Sequence, residues 1–273
     1  MEDIRQTAGW KGYLVDRGWG VVTLLAEDRV HKMQAFIIPL GILGLKMLKL
    51  QRSSYDPNWS ELKLLKRKHH IVSSVIEPTK VQDELGYKMA GYKIARFPYL
   101  ATKTFILDLT KTEKELWKSL SENARRQIEK NKKVVIEEAE VELFYKLWRQ
   151  NSKVWTMKLA ELKSMRKRFA GKAKLIVSRS GSTYHSGLLI LHSKDTANYY
   201  QTWTSEEGRK SGAHYKLVWE EILRAKKEGL NFFDLEGIYD PRWPQKRWFG
   251  FTEFKRRFGG EVVEFPGSYF RWL

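Results

Sequence analysis

The chain has 273 residues, no cysteine, and 50 Lys plus Arg against 32 Asp plus Glu, giving a formal net charge of +18. With 42% hydrophobic and 13% aromatic residues it holds ample material for a core, which excludes a disordered tail. Without cysteine it has no disulfide, thiolate nucleophile, zinc–thiolate site or iron–sulfur cluster, and its charge favours polyanionic partners.

The start, Met1-Glu2-Asp3, is acidic and leads into no apolar run, which speaks against a secretory signal. Residues 6–13 read as a short helix. Residues 19–26 and 33–38 are two β-rich runs around a polar turn at 27–29, a hairpin pattern. The most apolar stretch, 35–50, carries Pro39, Lys46 and Lys49; it is too short and broken for a spanning helix and reads as strand, turn, strand. Residues 59–68 set Leu62, Leu64 and Leu65 among lysines as a short helix, and 71–76 is a strand ended by Glu77-Pro78. Residues 105–109 form another strand.

Thr112 and Glu115 then have the spacing of a capping box, each able to satisfy an amide that the other end of the turn leaves open. Leu116, Leu120, Ala124 and Ile128 follow at i+4, the pattern of one continuous helix face, with Arg125, Arg126, Lys130, Lys132 and Lys133 around it. Further helices are expected over 140–150, with Phe144, Leu147 and Trp148 inward, and over 158–170, closed by Gly171. Three strands follow at 173–178, 186–191 and 197–204, the first two joined by a turn at Gly181-Ser182. Residues 205–212 read as a loop in which Gly208 and Gly212 permit close backbone approach and Arg209 and Lys210 supply charge. The amides of the next helix, 213–228, could then hold a phosphate or carboxylate. Strands at 230–235 and 261–265 complete the chain.

The order strand, strand, strand, loop, helix, strand is that of an acetyltransferase-like α/β fold. A shorter version of it, hairpin, helix, strand, occupies the N-terminal half. The expected architecture is therefore two tandem GNAT-like domains with mixed α+β sheets: 1–110, and 111–259, with a tail at about 260–273 packing back on the first.

The six His residues show no H-x-x-x-H or H-E-x-x-H spacing, and no phosphate-loop, dinucleotide or nucleophile-elbow pattern occurs. No metal and no cofactor are expected. The most unusual segment is 242–258, where Trp243, Trp248, Phe249, Phe251, Phe254 and Phe258 interleave with six cations. Such interleaving suits phosphate neutralisation with stacking, which makes Trp248 and Phe254 candidate ligand contacts. Against that, Phe251, Phe254 and Phe258 have the spacing of an inward helical stripe.

In these residues the chain resembles the Fem-type peptidyltransferases, the FemX/FemAB aminoacyltransferases that build peptidoglycan cross-bridges. The carrying pieces run in order along the chain. They are Gly9-Trp10 after Gln6-Thr7, the 104–109 strand before Asn123-Ala-Arg-Arg-Gln-Ile128, Asp234-Leu-Glu-Gly-Ile238, Phe254-Lys255 before Phe258-Gly259, and Tyr269 in a Pro-Gly-Ser-Tyr tail. The long helical-hairpin insertion of some members is missing. The resemblance implies transfer of an amino acid from aminoacyl-tRNA to a stem-peptide amine of a peptidoglycan precursor, nucleotide- or lipid-linked. It implies that the first domain, with part of the second, holds the precursor, while the second faces the tRNA acceptor end. Lys255 matches the family's Phe-Lys position and would stabilise the oxyanion. Lys11 and Lys158 lie near positions that hold the precursor's diphosphate, with Met157 standing at the second. Tyr200 fits an aromatic of the third meander strand, and Thr202 stands where another Tyr is often found. Asp234 would end the central strand, either orienting the amine or capping a loop. The rival readings are an acyl-CoA-dependent N-acyltransferase of the same fold and a non-catalytic protein binding RNA or a membrane surface. The expected location is cytoplasmic, with peripheral contact at the inner membrane surface.

Overall fold

The computed structural model describes residues 1–41, 44–152 and 156–272. A 3-10 turn at Ile4–Gln6 and α1 (Ala8–Asp16) open the chain, with the Thr7 hydroxyl accepting from the Trp10 amide between them. There follow β1 (Gly20–Leu25), β2 (Lys32–Pro39), β3 (Lys46–Ser53), α2 (Trp59–Lys68), β4 (Ile71–Pro78), α3 (Glu84–Met89) and β5 (Lys93–Ile94). Next come β6 (Lys103–Asp108), α4 (Glu113–Ser119), α5 (Glu122–Lys130), β7 (Val135–Glu138), α6 (Val141–Asn151) and α7 (Leu159–Phe169). The meander is β8 (Ala173–Ser180), β9 (Thr183–His192) and β10 (Thr196–Thr204). After it lie α8 (Glu206–Ser211), α9 (Ala213–Lys227), β11 (Phe232–Gly237), α10 (Phe249–Arg256), β12 (Glu261–Glu264) and β13 (Tyr269–Trp272). The turn expected between β2 and β3 includes residues 42 and 43, which lie outside the described residues. Among those described, no helix is long and apolar enough to cross a membrane.

The chain divides into two compact units. One comprises Arg5–Lys103, Asp240–Pro244 and Glu264–Leu273; the other comprises Met1–Ile4, Thr104–Tyr239 and Gln245–Val263. The N-terminal unit holds a six-stranded sheet ordered β1-β2-β3-β4-β13-β5. β1, β2 and β3 run antiparallel in chain order, and β4 returns after α2 to pair with β3 in parallel. Its core gathers Leu24, Met33, Ala35, Leu48, Leu50, Leu62 and Ile76 from one sheet face and the helix over it. β4 does not stop at Ile76: its parallel ladder runs on through Glu77 to Pro78. Its other edge receives β13, antiparallel, from the end of the chain.

The second unit repeats the plan on a larger scale, in a seven-stranded sheet ordered β12-β6-β11-β10-β9-β8-β7. The β8-β9-β10 meander is antiparallel, and β11 returns after α9 to pair with β10 in parallel. This is the expected α/β, GNAT-like order, present twice.

Several local expectations change. The helix expected from Thr112 onward is two helices. Its capping box forms, but Leu120 adopts an extended backbone and the Ser121 hydroxyl accepts from the Ala124 amide, starting α5 afresh. The i+4 residues Leu116, Leu120, Ala124 and Ile128 all reach one core even so. The expected loop 205–212 is largely the helix α8, because the Ser205 hydroxyl caps it at the Gly208 amide. In α6, Phe144 and Trp148 are buried while Leu147 is half-buried. In α2 the inward position that carries a cation is Lys66, whereas Leu64 is 65% exposed.

Candidate functional site

The two parallel ladders differ. In the N-terminal unit, β3 and β4 pair along their length, to Ser53 opposite Pro78. In the second unit, β10 and β11 pair only at Thr196–Phe232, Ala197–Phe233 and Asn198–Asp234. The ladder ends there, although β10 continues to Thr204 and β11 to Gly237. Both strands turn irregular at that point. β10 bulges at Tyr200, between the Tyr199 and Gln201 pairs with β9, and β11 loses register with β6 between Asp234 and Gly237. Paired bulges where a ladder ends re-aim side chains and free main-chain groups for a ligand.

The freed carbonyls of β11 hold a cation. Lys255, on α10, is buried, and its Nζ donates to the carbonyls of Gly237 at 2.7 Å and Glu236 at 3.3 Å. The same ammonium lies 5.4 Å from the Tyr199 ring centroid and 5.1 Å from that of Phe251, in the range of cation–π attraction. Burial pulls its pKa down to about 8, against the opposing charges of Glu236 and Asp234.

Asp234 fixes the bulge that presents those carbonyls. Its Oδ1 accepts from the Glu236 amide at 2.7 Å and from the Thr104 hydroxyl, and Thr104 also donates to the Glu236 carbonyl at 3.0 Å. Glu236 has φ of 57°, a left-handed conformation that costs a non-glycine residue of order 1–3 kcal/mol and persists only where neighbours enforce it. Burial, reinforced by the charge of Glu236, pushes the Asp234 carboxyl upward. It therefore takes up a proton at higher pH than an exposed carboxylate does.

A second chain of contacts starts at Tyr199. Its hydroxyl lies 2.7 Å from His214 Nε2, which is also 3.2 Å from the Thr202 hydroxyl. Thr202 donates to the Gly187 carbonyl. The His214 ring stacks on Phe254, with centroids 5.2 Å apart. Burial lowers the His214 pKa to about 3, so the imidazole is neutral at physiological pH. Burial raises the Tyr199 phenol, which therefore keeps its proton.

Of the residues singled out in the sequence, Lys255, Asp234, Thr202 and Phe254 thus belong to one neighbourhood, with Tyr200 in the adjoining bulge. Trp248 is half-buried beside α10, 5.3 Å from the Phe251 ring, and its carbonyl accepts from Thr252. Arg209 is exposed on α8 and donates to the Thr204 carbonyl. Lys158 is exposed at the N-cap of α7, where its amide donates to Glu161, and Lys11 is exposed on α1 in the other unit. The expected inward stripe of α10 is corrected. Phe258 is buried and Phe254 half-buried, but Phe251 is 37% exposed, because the helix ends at Arg256 and turns Thr252 and Lys255 inward instead. The anion cradle expected before α9 is also altered. Ser211, at the end of α8, takes the Ala213 amide on its hydroxyl, and Gln127 lies against Gly212. Tyr199 and His214 escaped the sequence reading. His214 stood there only as a histidine without metal spacing; the signal available was its place as the second residue of a helix that follows an aromatic strand.

Residues 147–272 match the model of the FemAB family. Over that stretch the chain is similar to that family. The matched segment carries Tyr199, His214, Asp234 and Lys255, so the neighbourhood described above lies within it, apart from Thr104. Among solved structures, FemX is similar over 99% of this chain and 92% of its own, at TM-score 0.80 and 14% identity. L-PGS from Bacillus licheniformis is similar over 99% and 94%, at TM-score 0.56 and 13% identity. A tandem GNAT protein from the clavulanic acid biosynthesis pathway is similar over 88% and 78%, at TM-score 0.57 and 11% identity. At such identities these likenesses speak for the fold: the chain shares the GNAT-like architecture with them. No curated protein matches it.

Proposed function

We propose that this chain is a Fem-type aminoacyltransferase that moves an amino acid from aminoacyl-tRNA to the stem-peptide amine of a peptidoglycan precursor. The FemAB match and the GNAT-like fold support a transferase of acyl or aminoacyl groups. The observation that carries the reading is the Lys255 ammonium, seated on two carbonyls where the β10–β11 ladder ends.

An aminoacyl ester is already activated, so a free amine can attack it without a covalent enzyme intermediate. The amine nitrogen bonds to the ester carbon, the carbonyl oxygen takes up negative charge, and collapse expels the tRNA 3′-terminal alkoxide, which takes the proton the amine gives up. The enzyme has to place the two reactants and stabilise the oxyanion. Lys255 supplies the positive charge in a place where burial strengthens it. Asp234 and Thr104 are positioning residues, holding the bulge that seats the ammonium. Tyr199, oriented by neutral His214, walls the charge with its ring. Tyr200, Trp248 and Phe254 offer aromatic surface to the acceptor end, and Arg209, Lys158 and Lys11 offer cations to phosphates. The setting is cytoplasmic, with basic surface available to the inner membrane face.

The acyl-CoA reading lacks comparable support, since the amides before α9 are taken up internally. The test offers purified protein charged tRNA, acetyl-coenzyme A and a lysine-containing muropeptide precursor. Transfer from tRNA that is lost in Lys255→Ala is the expected result. Transfer from coenzyme A alone, or tRNA-dependent transfer that survives Lys255→Ala, overturns the assignment.

A further inference from the structure

The N-terminal unit holds two cations that the proposed transfer does not use. Lys66 lies on the inward side of α2 and is 4% exposed; Arg271 lies on β13. They face two adjoining cavities of about 480 and 450 Å3, and both residues, with Lys63, line each one. These volumes fall within the roughly 300–1,000 Å3 of small-ligand sites.

The two cations act on each other without a carboxylate between them. Burial first, and the charge of Arg271 after it, together lower Lys66 to about 8, with no opposing acid. Among the described residues neither has an ion-pair partner. Lys66 lies 5.2 Å from the Tyr92 ring centroid, and Arg271 donates to the Ala90 carbonyl. The one carboxylate lining either cavity is Asp83, and it is committed to the N-cap of α3, accepting from the Gly86 amide. Trp59, in the same lining, has its indole N–H buried with no acceptor. Arg67 and His70 add basic groups to the second cavity. Burying a lysine beside a second, half-buried cation is costly unless an anion joins them, and an uncommitted donor beside them asks for an acceptor. Apart from Ser60, the remaining side chains lining the first cavity are largely apolar, among them Leu62, Leu85, Met89 and Tyr92.

We propose that this cavity is a binding site for a phosphate ester, with Lys66 and Arg271 clasping the phosphoryl group and the Leu62–Tyr92 wall taking an apolar portion. Arg271 gives the planar fork suited to phosphate oxygens, Lys66 a point charge, and Lys63 a flexible cation at the mouth. The site lies within the N-terminal unit, and its occupation is independent of Lys255.

The phosphoryl group could be carried by a soluble nucleotide or by a lipid headgroup, and the experiment separates the two. The full chain is titrated with uridine diphosphate, followed by tryptophan fluorescence and calorimetry. It is also mixed with vesicles of phosphatidylglycerol in phosphatidylcholine and sedimented. Lys66→Met keeps the aliphatic stem against Tyr92, and Lys63→Glu changes only the exposed mouth. Each is expected to weaken whichever probe binds by about ten-fold, a typical loss for a charge-assisted contact. Lys130→Met, an exposed lysine on α5, is expected to change nothing, and Lys255→Ala to leave binding intact. Binding of the nucleotide alone identifies a soluble ester, and binding of the vesicles alone a lipid. Binding of neither probe overturns the proposal. So does a loss in Lys130→Met equal to that in Lys66→Met, which would make the effect one of general charge.

Discussion

Lys255 and Glu221 are both buried and ionisable, and both can be tested by titration. An exposed lysine holds its proton to about pH 10.4, whereas the Lys255 ammonium is held only to about 8 by burial. If its charge stabilises the oxyanion, the initial rate of transfer falls along an alkaline limb centred near pH 8. A rate that stays level to pH 10 would remove the ammonium from the chemistry. Lys255→Ala should lower kcat by about 10²–10³, the usual loss for one oxyanion donor, with a smaller effect on KM. Asp234→Asn should act on kcat through the seat of Lys255. Its diagnostic is a displaced alkaline limb, which a merely destabilised protein would not show. Glu221, buried on α9, has its pKa raised to about 7 by burial, although Arg224 lies 3.0 Å away without hydrogen-bond geometry. The native state keeps this proton where the unfolded chain has released it. Stability therefore falls as pH rises from about 4.5 to 7. Glu221→Gln should raise the urea midpoint at pH 8 and do little at pH 4.5.

Among the elements, local chemistry was easier to read than pairing. The bounds of α2 and the capping box of α4 follow from side chains three or four positions apart, and both appear as expected. So does the hairpin at Gly181, where φ of 55° suits glycine. The break at Leu120–Ser121 was hidden because the i+4 pattern continues across it, and Ser121 can cap only if the chain first turns. The end of the β10–β11 ladder at Asn198 and Asp234 was equally hidden. Ladder length depends on residues 36 positions apart meeting or parting. Lys255 was found through a family resemblance; its burial and its two carbonyl partners carry no local signature. The short α3, β5, β7 and β13 were missed, being two to six residues long with little periodicity. Helix α8 offers the test at this scale. A Cβ on Gly208 would lie 2.0 Å from the His185 carbonyl oxygen, a main-chain atom that cannot swing aside. Gly208→Ala should push α8 off β9 and cost about 1–3 kcal/mol, the range of overpacking. A thermal midpoint equal to the parent's would show that the contact has slack.

Across the whole molecule, the same plan occurs twice with different outcomes. In one copy the parallel ladder is closed to its end; in the other it stops at Asn198 and leaves carbonyls for a cation. The expected pair of acetyltransferase-like folds was legible because strand order survives in hydrophobic runs. Which copy would keep its ladder open was not. The excess of positive charge, first readable only as a taste for polyanions, includes buried Lys66 with half-buried Arg271 beside it, rather than being wholly spread on a solvated surface. A chain stopped after Val263 should lose the N-terminal unit's cooperative unfolding, since β13 bonds to both β4 and β5. Calorimetry would then record a smaller enthalpy, with the second unit's transition retained.

That interior strand has a consequence for synthesis. β13 lies between β4 and β5, so the sheet begun by residues 20–78 waits for residues 269–272 before it can close. On the ribosome, domains usually fold in the order in which they emerge. Here a strand made after the whole β6–β11 region completes a sheet begun before it, and that region can reach its native pairing while β4 still presents an open edge. An open edge of that kind invites pairing with other chains. The growing chain is therefore most exposed to aggregation in the interval between residue 78 and residue 272, and a chaperone that shields β4 would act on it there.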